Sequence, residues 1–474
     1  MKNKNYKWTY NEILERFEDI EKRLCLDEAI IQGVPWWDVL RYQLFYELLV
    51  ELGAREELKK KETLTIKKFL FTKIFTIINI LKNFIKFFTP KSPLWINKQS
   101  IIVLGHPRRK LEEGVYVDPY SDPFIDLFPK TINFSVIERS EDNSHLSPAK
   151  TKKLFYADSL YSLANIISKF QKFKLNQIDL LTISRLEKIL YTEFSCSIDI
   201  NKRVKKIIQN WLGIYPLMQL FFKLKKPKLL FVVVSHTQEA IIAAAKSLGI
   251  TTIELQHGSP ARGKLNYDYT SGITKKSFPD LFLSFGDYWS SNCKFPIDKD
   301  KIISFGNPYL YKKINSYSHI AKEDRLIIIS QGFPILVEFA KDISEQFSKK
   351  IIVEYKPHPR EHEKEPDYFK ELRKAGVVVS HKNADLYEIF ARSRWQVGVF
   401  STAIYEGLYF GTACFIVNTP GSEHMKRLIK SDLARLISSP KDIDLNWKID
   451  KKNIKKIFSK PSKENIEYVI SLIK

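Results

Sequence analysis

Cysteine is scarce. The chain of 474 residues has four, Cys25, Cys196, Cys293 and Cys414, and none forms a CxxC pair. That excludes a disulfide-stapled miniprotein and a cysteine-rich zinc site, and it fits a reducing compartment. No run approaches ~18 uncharged apolar residues, so no segment reads as a transmembrane helix. The opening residues MKNKNYKWTYNEILERFEDIEKR lack an apolar stretch, so no secretory signal is expected. Internal repeats and low-complexity linkers are missing. So are HExxH, P-loop and GxSxG patterns, which argues against zinc hydrolases, kinases and esterases. Acidic residues are the minority charge, 54 Asp plus Glu against 76 Lys plus Arg, leaving a net +22. Such a surplus suits an anionic partner: a membrane, a nucleic acid or a phosphorylated substrate. No zinc-finger or RNP pattern is present, so nucleic acid is not expected.

What is present is length and apolar content. At ~100–200 residues per domain the chain makes two or three domains with ample cores. One stretch, Lys67–Phe88, reads KKFLFTKIFTIINILKNFIKFF. Five lysines (Lys67, Lys68, Lys73, Lys82, Lys86) interrupt it, it holds no acid, and Pro90 and Pro93 end it. A basic, aromatic-rich amphipathic stretch lies in a headgroup plane or packs on a domain with a solvated lysine edge; the pattern serves both. The membrane reading makes the chain cytoplasmic and peripheral at the inner face of the cell membrane.

Residues 1–98 read as mostly helical, with helical spacing in NEILERFEDIEKRL and in WWDVLRYQLFYELLVELG, which ends at Gly53. Strand-like runs follow at 101–104, 229–234, 251–255 and 281–286. A second set lies at 325–330, 350–356, 377–380, 395–400 and 413–417. These β-branched runs lack period-2 alternation, as expected of parallel strands buried on both faces. The expected class is therefore α/β, with two successive doubly wound sheets and ligands between them at the carboxyl ends of strands. The expected division is a helical extension (1–98), an acceptor domain (99–315) and a donor domain with closing helices (316–474).

Three strand-end loops carry the chemistry: Gln256-His257-Gly258-Ser259-Pro260, Lys356-Pro357-His358-Pro359-Arg360, and Ser401-Thr402 followed by Glu406-Gly407. An imidazole between two prolines is stiff. A hydroxyl pair at a helix start offers side-chain and backbone donors to a phosphate. A carboxylate one turn later can accept from the two hydroxyls of a ribose. Together these groups describe a nucleotide half-site, with phosphate on His358, Ser401 and Thr402, charge added by Lys356 and Arg360, and ribose on Glu406.

The order strand–KPHPR, then FST-x-x-x-E-G, resembles the C-terminal half of GT-B glycosyltransferases. More narrowly it resembles bacterial surface-polysaccharide enzymes with CMP- or CDP-activated donors: sialyl- and polysialyltransferases, capsule Kdo transferases and CDP-glycerol glycerophosphotransferases. The resemblance covers roughly residues 225–425. It implies a GT-B-like fold, two Rossmann-like domains facing a cleft, and metal-independent, inverting glycosyl transfer. The donor would be a nucleotide sugar, CMP-linked in the first instance, and the acceptor a growing capsule or lipopolysaccharide glycan. No cofactor is implied beyond that donor. In the sialyltransferases an HP motif and a Ser/Thr pair bind the CMP phosphate, here His358-Pro359 and Ser401-Thr402. An acidic triplet serves those families as base, here Glu112-Glu113-Gly114. A His-Gly-Thr-Pro loop supplies a catalytic histidine in the glycerophosphotransferases, here His257-Gly258-Ser259-Pro260. The base candidates are thus His257, then Glu113.

His236, in the loop after 229–234, and Gln256 are expected to line the acceptor cleft. Arg108, in GHPRR, is expected to meet an anionic acceptor. Asp118, Asp122 and Asp126 suit turn and cap roles better than a calcium loop, and Asp298-x-Asp300 is read as a lysine-rich loop rather than a metal site. Three rival classes stay open: polyol phosphotransfer from a CDP donor, a UDP-sugar 2-epimerase-like isomerase, and a non-catalytic assembly protein.

Overall fold

The computed structural model describes residues 8–54, 85–141, 144–269, 273–347, 350–362, 366–450 and 454–472. Residues 67–84 of the basic stretch lie outside the described residues, as does the side chain of Arg360. No helix among the described residues is long and apolar enough to cross a membrane.

In the first half, strands β1 (Ile101–Gly105), β2 (Lys110–Glu112), β3 (Val115–Val117), β4 (Phe134–Glu138), β5 (Leu154–Tyr156), β6 (Leu229–Val232), β7 (Thr251–Leu255), β8 (Leu281–Ser284) and β9 (Ile302–Ser304) follow in chain order. All but β2 and β3 join one parallel sheet in the order β5-β4-β1-β6-β7-β8-β9. The second half adds β10 (Glu323–Ile329), β11 (Ile352–Lys356), β12 (Val378–Val379), β13 (Ser393–Gly398), β14 (Ala413–Val417) and β15 (Arg435–Ile437). These form a second parallel sheet, β12-β11-β10-β13-β14-β15. Central runs such as Ile101–Val103, Leu229–Val232 and Leu326–Ile328 are fully buried, because crossover helices cover both faces.

Each sheet begins in its middle, steps outward to one edge, then restarts on the other side. That is a doubly wound, Rossmann-like order, and it sets a switch point in each sheet, β1/β6 in the first and β10/β13 in the second. The chain is thus α/β and GT-B-like, two Rossmann-like lobes with a helical extension before them.

The expected N-terminal helices form at Tyr10–Arg23 and Trp36–Glu51. Thr9 and Glu12 close a capping box on the first. Ile13, Phe17, Ile20, Trp37 and Leu44 share a buried core with the helices Gln177–Phe194 and Ile200–Lys225 and with Leu265. Arg41, ion-paired to Glu21 at 2.7 Å with both 1% exposed, also donates to the Leu265 and Asp268 carbonyls. The extension therefore braces the loop that follows the QHGSP segment.

The hairpin and the C-terminal segment both help to join the lobes. The β2–β3 hairpin turns through Glu113 (φ 46°) and Gly114 (φ 81°), the left-handed pair of a tight two-residue turn. From it Glu112 meets Lys313 at 2.8 Å and accepts from the Tyr309 hydroxyl. The C-terminal segment returns to the first lobe. Ser459 N donates to Phe285 O, Asn465 Nδ2 donates to Ser304 O, and Val469 is buried with Leu281 and Leu283. The closing helix Lys463–Ser471, expected with the donor domain, packs on the first sheet.

Candidate active site

Three histidines stand at the carboxyl ends of β1, β6 and β7: His106, His236 and His257. The His257 ring lies 6.4 Å from that of His106, 6.2 Å from that of His236 and 6.1 Å from that of Tyr120. Two of the three flank the first sheet's switch point, where this topology opens a crevice. Asp118 accepts from the backbone N–H groups of His106 (2.8 Å) and Tyr120 (3.0 Å), so one carboxylate sets both loops. Asp122 in turn accepts from Asp118 N at 2.8 Å, a turn role as expected.

Beneath His257 lies Glu254, fully buried on β7. The Tyr267 hydroxyl sits 2.7 Å from Glu254 Oε1 and 3.3 Å from His257 Nδ1, and Glu254 is 3.9 Å from that nitrogen. Burial pushes the Glu254 carboxyl up to about 7. It holds His257 well below its ordinary range, helped by the neighbouring His236, His106 and Lys264 and opposed by a hydrogen bond to the Val233 carbonyl. His236 is driven down to about 4 by burial, and His106 is lowered, chiefly by the same cause. At neutral pH the first lobe therefore presents a cluster of uncharged rings over one buried acid.

Gln256 has a supporting position. Its Oε1 accepts from Phe285 N at 2.7 Å and its Nε2 donates to Gly258 O at 2.8 Å, which pins the loop carrying His257 to β8. Arg108 is exposed and donates to Glu141 at 3.0 Å, while its backbone N–H donates to His106 Nδ1. Glu113 is exposed at the hairpin tip and makes no hydrogen bond or ion pair with described residues. The carboxylate that turns inward is its neighbour Glu112.

In the second lobe, Ser401 caps the helix Thr402–Tyr409, its Oγ accepting from Ala403 N at 3.2 Å. Glu406 sits one turn in. Burial raises its carboxyl pKa, against the pull of Lys110 and a hydrogen bond from the Tyr387 hydroxyl. Lys110, from the first lobe's hairpin, places its ammonium 4.7 Å over the Tyr387 ring and 5.1 Å over that of Tyr309. Burial also raises the Tyr120 hydroxyl, with the negative charges of Glu406 and Asp118 adding to the rise. His358 stands two strands from Ser401, across β10, or roughly 10 Å along the sheet. Its backbone N–H donates to buried Glu361 at 2.5 Å, which also accepts from the Tyr355 and Tyr368 hydroxyls. Lys356 donates to the Ala384 carbonyl at 3.0 Å, and burial lowers its pKa. Gln331, at the second switch point, accepts from Phe400 N at 3.3 Å.

The expected residues thus gather as two groups, His257 with His236 and His106 on one lobe, Ser401, Thr402 and Glu406 on the other. Tyr120, Tyr267, Glu254, Lys110 and Tyr387 link or support them and were not singled out by motif. The one sequence signal was Glu254, an acid inside the apolar run TTIEL.

These lobes define a two-Rossmann α/β fold with titratable groups where the lobes meet. No family model matches this chain, and no curated protein does. Among solved structures, the UDP-GlcNAc 2-epimerase from Methanocaldococcus jannaschii is 12% identical with a TM-score of 0.45, covering 78% of this chain and 99% of that one. The kitacinnamycin glycotransferase is 11% identical (TM-score 0.42, covering 80% and 94%). The wall teichoic acid polymerase TagF is 10% identical (TM-score 0.41, covering 86% and 98%). At this level of likeness the fold assignment rests on the two sheet orders themselves.

Proposed function

We propose that this chain is a glycosyltransferase that moves a sugar from a nucleotide-activated donor, CMP-linked in the first instance, to a growing capsule or lipopolysaccharide glycan. The observation that carries the reading is the reach of the first lobe's hairpin to the second lobe's candidate nucleotide helix: the Lys110 ammonium lies 4.7 Å over the ring of Tyr387, which packs in one core with Ile404 and Tyr405 of that helix. An acid–base centre and a ribose-type carboxylate then serve one ligand from opposite sides.

In this reading the second lobe holds the nucleotide. Ser401, Thr402 and His358 take the phosphate, Lys356 and Lys110 add positive potential, and Glu406 takes the ribose hydroxyls. Donors fixed where charge develops on the leaving phosphate stabilise the transition state more than the ground state. The acceptor hydroxyl attacks the anomeric carbon, the carbon–oxygen bond to phosphate breaks, and the nucleotide leaves with the electron pair. His257 takes the hydroxyl proton. Tyr267 donates to Glu254 and stands 3.3 Å from His257 Nδ1, so the buried acid orients the imidazole through the tyrosine.

The test is the unfolding midpoint with CMP, CDP, UDP and GDP, followed by product analysis with each donor class. Specific binding raises the midpoint by mass action. A rise with CMP and acceptor-dependent sugar transfer are expected. Turnover of a free UDP-sugar without acceptor would instead make the chain an isomerase, and transfer of a polyol phosphate from a CDP donor would make it a phosphotransferase. Indifference to every nucleotide would sink the reading.

A further inference from the structure

Away from the crevice, the segment entering β1 runs over the first lobe's outer edge. It is held firmly: Lys86 pairs with Asp158 at 3.6 Å, Tyr156 N donates to Lys91 O, and Lys225 Nζ donates to the Leu94 and Ile96 carbonyls at 2.7 and 2.6 Å. Ile96 is buried against Phe221 and Phe222 of the long helix Ile200–Lys225. Yet this fixed segment presents Ile85 (65% exposed), Phe88 (71%), Leu94 (46%) and Trp95 (57%) outward. Beside it the end of that helix presents Leu220 (56%) and Leu224 (59%), four residues apart on one face. Exposed Lys98, Lys223, Lys226 and Lys228 rim the patch. Residues 63–111 and 200–228 contain no Asp or Glu at all.

We infer that this face, built from residues 85–98 and the carboxyl end of the helix 200–225, docks the protein on an anionic lipid bilayer. Large apolar side chains on a rigid platform insert to headgroup depth while the lysines meet lipid phosphates. Large apolar side chains exposed together on a fixed surface mark an interaction site. The occupant is decided by charge. Two copies of this chain would bring like-charged lysine rims together, whereas an acidic lipid surface complements them. Leu217 continues the Leu220–Leu224 stripe inward, where with Ile214 and Tyr161 it lines a narrow apolar pocket that reaches Gly105, the residue before His106. Leu94, Trp95, Leu220 and Leu224 stand at the amino ends of β1 and β6, so the bilayer would lie across the sheet from the histidine loops. The inference does not depend on the glycosyltransfer reading, because it is tested without nucleotide or acceptor.

The experiment is flotation of the full chain with vesicles of phosphatidylcholine alone and of phosphatidylcholine with phosphatidylglycerol. The wild type should float with the anionic vesicles and far less with the neutral ones, and should release as salt rises to about 0.5 M. The combined variant F88S/W95S/L224S should bind the anionic vesicles at least ~10-fold more weakly. K98E/K223E/K226E, all at exposed sites, should do the same and decides the matter should the first variant misfold. Unchanged flotation of these variants, or no binding by the wild type, overturns the inference. So does lipid-free self-association that F88S/W95S/L224S abolishes, since a second copy would then own the face.

Discussion

The two lobes share one strand order but hold their functional ends differently. In the first, Glu254, Tyr267 and His257 form a chain of side chains, set beside loops whose backbone N–H groups Asp118 accepts from at His106 and Tyr120. In the second, side chains mostly hold backbone. Ser401 caps Ala403, Lys356 donates to carbonyls, and Glu361 holds the backbone of His358. A side-chain network fixes proton positions, as acid–base chemistry requires. A capped backbone turn fixes the donors of an anion site while leaving ligand identity to few groups. In the proposed reading the first lobe reacts and the second grips.

That contrast can be broken first at its centre. H257A should lower kcat by ~10³-fold while leaving the nucleotide-induced rise in unfolding midpoint intact, because the two functions sit on different lobes. Steady-state kinetics beside thermal unfolding checks both halves of the statement.

A smaller effect is expected at Glu254. Activity should rise with pH through about 7 as this carboxyl ionises. In E254Q that limb should vanish and kcat should fall roughly 10-fold or more. Stability moves the other way. The folded-state pKa lies above the usual 4.5, so the protonated form favours folding and stability is lost as pH rises from 4.5 through about 7. E254Q escapes that loss. Measured by denaturant, its stability relative to wild type should climb by about 2 kcal/mol between roughly pH 5 and pH 8.

On the gripping lobe, E406Q should weaken nucleotide affinity ~10-fold in calorimetry, with little change in kcat at saturation. S401A should be smallest, removing a helix cap for about 1 kcal/mol in denaturant unfolding and a few-fold in nucleotide affinity. Equal effects of E406Q and E254Q on kcat alone would erase the division between lobes.

Much of this architecture was legible in sequence, and the reason is burial. Runs such as LLFVVV and RLIIIS are apolar on both faces, so their strands announce themselves. The short strands β5, β9 and β15 do not, because three residues with half-exposed side chains make no run. β4 was missed despite its buried centre, since Ser135 and Glu138 break the apolar string. His257 and Glu406 stand out as candidates because one sits in a loop after a strand and the other one turn into the helix that follows a strand. Tyr120 and Lys110 were not, since their partners lie far along the chain and only folding brings them near. Glu113 shows the opposite failure: the acidic triplet is real as a string, but its middle residue makes a turn.

One feature has mechanical weight. The path out to the second lobe passes Gly306 and the path back passes Ser459, and they run side by side: a Cβ on Gly306 (φ 97°) would stand 2.3 Å from the Ser459 carbonyl oxygen. The outgoing and returning segments therefore pass between the lobes as one close pair, beside the packing of Trp289 on Tyr405 and the bond from Arg427 to the Tyr288 carbonyl. A methyl group at Gly306 has no room against that carbonyl and would sit at a left-handed φ, so G306A should push the paired segments apart and lower stability in denaturant unfolding.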